Sequence, residues 1–164
     1  MYTPREQAII TALTQFVHEA NAQELPRPTA WTHGIYRTLA DLGRQYGYRV
    51  CCHPHGDDQG WLYDVTWYTQ AGEGLTRRLL NVPLVAECEW SLHGINDDFE
   101  KLLLANSKTR VFICSTNEAQ WPALMHYFNE SVQTFQHNHV GDRYLIVLIS
   151  TDHNNVQFRL FVKA

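Results

Sequence analysis

Two carboxylates stand two residues apart in an otherwise apolar run, Leu84-Val85-Ala86-Glu87-Cys88-Glu89-Trp90. Side chains of a strand alternate between its faces, so Glu87 and Glu89 point the same way, with Val85. Leu84, Ala86, Cys88 and Trp90 take the other face. Like charges side by side on a strand repel, and a chain selected only for stability gains nothing from them. A divalent cation removes the repulsion. A third acid, Asp64, interrupts the strand-like stretch WLYDVTWYTQ, and Lys101 follows in DDFEKLL, in the first turns of the helix expected next. Asp, then Glu-x-Glu, then Lys is a donor set suited to metal-dependent hydrolysis.

The elements that must position these residues read off periodicity and breakers. Ile9, Ile10, Leu13, Phe16, Val17 and Ala20 predict an amphipathic helix over about 4–21. Ile35, Leu39, Leu42 and Tyr46 predict a second over about 31–46, ended by Gly47. Strands follow at about 48–54, 61–70 and 83–91, the first closed by the loop PHGDDQG, and residues 75–82 carry no clear pattern. A helix capped by Asn96 or Asp97 comes next, with Phe99, Leu102, Leu103 and Asn106 on its stripe. Then come a fully apolar strand near 110–115, a helix over about 117–136, and a hairpin from RYLIVLIST and VQFRLFVKA. The order α-α-β-β-β-α-β-α-β-β predicts an α/β fold: one central mixed sheet flanked by helices, in a single domain over 1–164.

Composition narrows the classes. With 45% hydrophobic and only 18% charged residues, the chain has core-forming material and no disordered composition. The formal net charge of −4 excludes a globally basic nucleic-acid coat but not a local patch. Arg37, Arg44, Arg49, Arg77, Arg78, Lys101, Lys108 and Arg110 all precede residue 111, and solvated surface charge is their default reading. No run of apolar residues is long enough to span a bilayer and no signal peptide pattern opens the chain, so a cytoplasmic protein without a membrane partner is expected. Cys51, Cys52, Cys88 and Cys114 read as reduced core fillers. Cys51, Cys52, His53, His55 and Asp57 invite zinc, but their spacing matches no zinc pattern. No phosphate-cradling glycine loop is present.

The segment α-β-β-β-α-β, with an acid on the second strand and acid-x-acid on the third, resembles the PD-(D/E)XK nuclease superfamily. The resemblance covers about residues 31–115 and implies a restriction-endonuclease-like αβββαβ core, with an N-terminal helix and a C-terminal β-hairpin added. Asp64 in YDVTWY matches the family's aspartate, and Glu87 in VAECEWS the first acid of its (D/E)xK pair. Glu89 stands where the family most often has lysine. In some members that lysine has migrated to the following helix, and Lys101 matches the migrated position. Asp41 is the candidate for an acid that the family often keeps on the helix before the first strand.

The resemblance implies a Mg²⁺- or Mn²⁺-dependent endonuclease acting on nucleic acid, DNA above all. Carboxylate oxygens suit Mg²⁺, which keeps several waters. Asp64 and Glu87 would be ligands, with the backbone carbonyl of Cys88 a third. Glu89 or Lys101 would orient or deprotonate the attacking water, and the lysine would offset phosphate charge. So short a chain leaves little room for a separate recognition domain, so a homodimer or a partner subunit enters the expectation. A different class of reading is a catalytically inactive nucleic-acid-binding or protein-interaction module on the same fold. A third is a small-molecule binder whose paired acids recognise a cationic ligand. The aromatics Trp61, Tyr63, Trp67 and Tyr68, crowded around Asp64, suit either core packing or stacking on unpaired bases.

Overall fold

The chain's first helix starts on a reciprocal cap. The Glu6 N–H donates to the Thr3 hydroxyl at 3.2 Å, and the Thr3 N–H donates to the Glu6 carboxylate at 2.7 Å. The computed structural model describes residues 1–58 and 61–164. Its elements are α1 (Pro4–Ala22), α2 (Thr29–Gln45), β1 (Arg49–Cys51), β2 (Val65–Ala71), β3 (Arg78–Glu89), α3 (Ile95–Leu103), β4 (Thr109–Thr116), α4 (Trp121–Thr134), β5 (Arg143–Ser150) and β6 (Val156–Val162). Short 3₁₀ turns stand at Gly74–Thr76 and Glu118–Gln120. The element order is the one read from the sequence.

All six strands form one mixed sheet in the order β1-β2-β3-β4-β5-β6. β1 pairs antiparallel with β2 and β2 with β3, β4 is parallel to both β3 and β5, and β6 closes the far side as an antiparallel hairpin with β5. Parallel central strands are covered on both faces, which is why Thr109–Thr116 is buried throughout. Helices α1 and α2 cover one face. Ile9, Leu13, Trp31, Ile35 and Leu39 pack there on Val65, Trp67, Leu84, Ala86, Val111 and Leu145. Helices α3 and α4 cover the other, where Ile95, Phe99, Leu102 and Phe128 meet Val85, Phe112, Tyr144 and Ile146. Each fully buried Phe or Leu on these faces contributes about 1.5–3 kcal/mol.

Several boundaries differ from the sequence expectation, each for a physical reason. β1 spans three residues because the chain folds back at once: the Asp57 and Asp58 N–H groups both donate to Val50 O. The loop read over PHGDDQG ends at Gln59 and Gly60, which lie outside the described residues. β2 starts at Val65, so Asp64 precedes the strand rather than sitting within it. β3 starts at Arg78, because its pairing with β2 continues through Gln70↔Leu79 and Ala71↔Arg78. There the residues are exposed, so no apolar alternation marks the strand. α3 is capped at Gly94, with Asp97 and Asp98 in its first turn and Lys101 in its last turn rather than its first. The helix read from 117 begins as a 3₁₀ turn and becomes α-helical only at Trp121.

Candidate functional site

The site lies at one end of the sheet, where β2 begins and β3 ends. Val65 pairs with Ala86, so extending the register by one residue sets Asp64 opposite Glu87. The Asp64 carboxylate is fixed from the backbone: the Cys88 N–H donates to its Oδ2 at 2.9 Å. From α2, Tyr36 meets the same carboxylate. Burial first, then the Asp64 charge, pushes the Tyr36 hydroxyl well above the ordinary tyrosine range. Within an antiparallel pair, a residue's N–H and C=O point toward the same neighbour. The Cys88 carbonyl therefore faces the side on which Asp64 stands.

Glu87 is 2% exposed, and its Oε1 has no hydrogen-bond partner among the described residues. Alternation along β3 places it with Val85 on the α3 side, while Leu84 and Ala86 face α1 and α2. Burial pushes its carboxyl up to about 9; the Asp64 charge adds to the shift and Lys101 opposes it. Lys101 reaches back from α3, its Nζ 3.8 Å from Glu87 Oε2 and 2.6 Å from Asp98 Oδ1. Spacing of i, i+3 places Asp98 and Lys101 on one helix face. The hydrogen bond to Asp98, then the Glu87 charge, raises the Lys101 ammonium above its ordinary value against burial.

The remaining expected residues are placed differently. Glu89 shares the strand face of Glu87, but its Oε1 accepts from the Ser91 N–H at 2.6 Å, and its Oε2 crowds Gly94, where a Cβ would lie 2.0 Å away. Its hydrogen bond is thus to the β3–α3 turn. Asp41 is exposed and paired with Arg44 at 3.1 Å, away from the acids. Of the basic residues, Lys101 alone is ion-paired to the site acids among the described residues. Arg44 is engaged by Asp41 and Asp57, Arg49 by Asp58, and the buried Arg110 by Asp142 and the Ala105 carbonyl. Of the cysteines, Cys51, Cys52 and Cys114 are buried, Cys88 is half-buried, and all four are free thiols. Trp67 is core, and its indole donates to Leu39 O at 3.0 Å. Tyr63 leaves the face of Val65 and Trp67, because residues 61–64 are not in the strand, and packs instead beside the α3 cluster.

Two participants stand outside the set expected from the sequence. Tyr36 sits one position along from the α2 core stripe, and only the packing of α2 on β2 brings it to Asp64. Asp98 reads as an ordinary first-turn acid. Its i, i+3 spacing from Lys101 was the one available signal.

Among the described residues, no three or more His, Cys, Asp or Glu side chains gather into a metal-holding group. The convergent set is two carboxylates, one backbone carbonyl and one lysine. Such a set fits a hard divalent ion that keeps most of its waters. Glu87 supports the fit: its carboxyl is buried beside the Asp64 carboxylate with no donor to its Oε1 among the described residues, and a cation would supply the missing positive partner. No protein-family model, no curated protein and no solved structure matches this chain. No helix is long and apolar enough to cross a membrane among the described residues.

Proposed function

We propose that this chain is a Mg²⁺- or Mn²⁺-dependent nuclease with a restriction-endonuclease-like core, hydrolysing phosphodiester bonds of nucleic acid, with DNA the favoured substrate. One observation carries the reading. The Asp64 carboxylate, held just before β2 by the Cys88 N–H, lies close enough to the buried Glu87 of β3 to raise its carboxyl, and Lys101 is 3.8 Å from Glu87. Asp64, Glu87 and the Cys88 carbonyl are the groups that would hold the ion. When bound, it supplies relief of phosphate charge and a water of lowered pKa. The Cys88 N–H and Tyr36 fix the Asp64 carboxylate, so its geometry is set before substrate arrives. Asp98 holds the Lys101 ammonium at the mouth of the site, where it offsets the negative charge of a scissile phosphate and orients the attacking water. Glu87 must release its proton to act as a ligand.

The test is a cleavage assay on single- and double-stranded DNA and RNA with each ion, using wild type, Glu87→Gln and Lys101→Met. Wild type is expected to cut, and each variant to lose about 10²–10³ in rate. A specific observation favours a second reading, an inactive binding module: Glu89 stands in the usual lysine position and is tied to the Ser91 N–H. Nucleic-acid binding without cleavage under either ion would select that module and sink the nuclease.

A further inference from the structure

Beside the carboxylates, on the α3 side of the sheet, lies a cavity of about 480 Å³ whose walls include Trp61, Tyr63, Thr66, Val82, Val85 and Asn106. The volume is in the range of small-ligand pockets, about 300–1,000 Å³. Its lining residues neighbour the candidate site along the chain. Val85 lies two residues before Glu87 on the same strand face, and the Tyr63 hydroxyl is raised above its ordinary value by burial first and then by the Glu87 charge. The walls are mostly apolar and aromatic, and the Trp61 ring is seated on Tyr68 with centroids 4.8 Å apart. One polar group is out of keeping with them. Thr66 is 1% exposed, and its Oγ1 is buried without a hydrogen-bond partner among the described residues. Leaving a hydroxyl so placed costs about 1–3 kcal/mol. That oxygen is closed off from the open cavity, so an occupant meets no polar group there. Asn106, exposed at the rim, adds an amide.

We infer that this cavity receives an unpaired nucleobase of the strand whose backbone lies at Asp64 and Glu87, and therefore that the substrate is single-stranded nucleic acid or a single-stranded segment of a longer one. A flat ring with a polar edge matches aromatic walls plus one rim amide. A paired and stacked base cannot enter such a recess without leaving its stack, which costs a few kcal/mol in duplex and much less in a single strand. Stacking on aromatic walls tolerates any base, so discrimination between bases falls to Asn106. The inference rests on the proposed phosphodiester site for the placement of the backbone, but binding can be measured without cleavage.

The experiment is fluorescence anisotropy of a labelled deoxythymidine oligomer with the full chain in EDTA. The same oligomer is tested paired to its complement and with one abasic position, and cleavage is assayed separately with Mg²⁺. Single strand is expected to bind about tenfold tighter than duplex, and the abasic substitution to weaken it measurably. Trp61→Ala is expected to weaken binding about tenfold and Trp61→Phe to restore most of it. Asn106→Ala, at an exposed rim residue, is expected to weaken binding a few-fold and, should Trp61→Ala melt early, decides alone. Duplex binding as tight as single strand, or affinity unmoved by both Trp61→Ala and Asn106→Ala, overturns the pocket even if Mg²⁺-dependent cleavage is found. Pocket-dependent binding with no cleavage supports the pocket and overturns the nuclease.

Discussion

Replacing Glu87 with glutamine should change how stability depends on pH before any ion or substrate is present. The unfolded-state carboxyl ionises above its ordinary value of 4.5, whereas the folded one keeps its proton up to about 9. Between those values the folded state holds more protons than the unfolded state, so stability falls as pH rises, by at most ~1.4 kcal/mol per pH unit from this group. From pH 5 to 7 the loss is roughly 3 kcal/mol. For a domain of this size, that corresponds to a melting-temperature change on the order of 5–10 °C. Glutamine does not titrate, so Glu87→Gln lacks this slope, and groups remote from Glu87 cancel in the difference. In EDTA, by differential scanning fluorimetry, variant minus wild type should widen steadily from pH 5 to pH 8 in the variant's favour. Adding Mg²⁺ or Mn²⁺ should raise the wild-type melting temperature, and more so at pH 8 than at pH 6, because the ion must displace the Glu87 proton. A difference between the two proteins that stays flat from pH 5 to 8 would refute the reasoning: Glu87 would then ionise normally in the folded chain, and the dry, charge-crowded position described for it would be wrong.

Two further outcomes test the frame that holds the site. The Glu6 carboxylate is fully buried and receives two N–H groups of Arg143, at 2.7 and 2.8 Å; Arg143→Leu strands it and should destabilise by about 3 kcal/mol in urea denaturation. Burial alone would raise the Glu6 carboxyl, but the Arg143 hydrogen bond and the Thr3 cap hold it below its ordinary value, so this contribution is present above pH 4.5 and fades as pH falls through the folded value. Wild type and Arg143→Leu should therefore converge in acid, and a constant gap would rule the ion pair out as the cause. Gly43→Ala sets two effects against each other. Helix propensity favours alanine by about 1 kcal/mol, but the new Cβ would sit 2.6–2.9 Å from the Trp67 indole, which is buried and bonded to Leu39 O. Overpacking a ring that cannot retreat costs about 1–3 kcal/mol, so the melting temperature should drop, and a rise would show that α2 shifts freely on β2.

Much of the fold was legible because the patterns were long or uninterrupted. The α1 stripe of Ile9, Leu13 and Val17 and the unbroken apolar run of β4 each admit one reading, and burial agrees with both. The first half of β3 was not legible. Its Arg78–Leu80 lie exposed, so strand pairing there is carried by backbone bonds to β2 that no side-chain alternation records. At the site, the face shared by Val85 and Glu87 followed from alternation alone. Glu89 obeys the same alternation, but a neighbouring turn competes for its carboxylate, and the Ser91 N–H is closer at hand than anything at Glu87. Tyr36 needed tertiary packing, since nothing local distinguishes it from any tyrosine beside an apolar stripe.

The site and the register of β3 are one constraint. Leu84 and Ala86 fill the α1–α2 side while Val85 fills the α3 side, and a slip of one residue would exchange them. Glu87 would then be driven among Trp31, Ile35 and Leu39 with neither Lys101 nor Asp64 to meet it, at a cost of about 1–3 kcal/mol for a buried polar group without a partner. The apolar neighbours therefore hold the carboxylate in place, and the carboxylate in turn penalises the wrong register. Asp64 completes the arrangement from just outside β2. At Cys88 the ladder with β2 has already ended, and the backbone N–H that a strand residue would have satisfied is taken by the Asp64 side chain instead. An acid at that position thus does two things. It closes the open end of the sheet, and it stands opposite Glu87 with its orientation fixed.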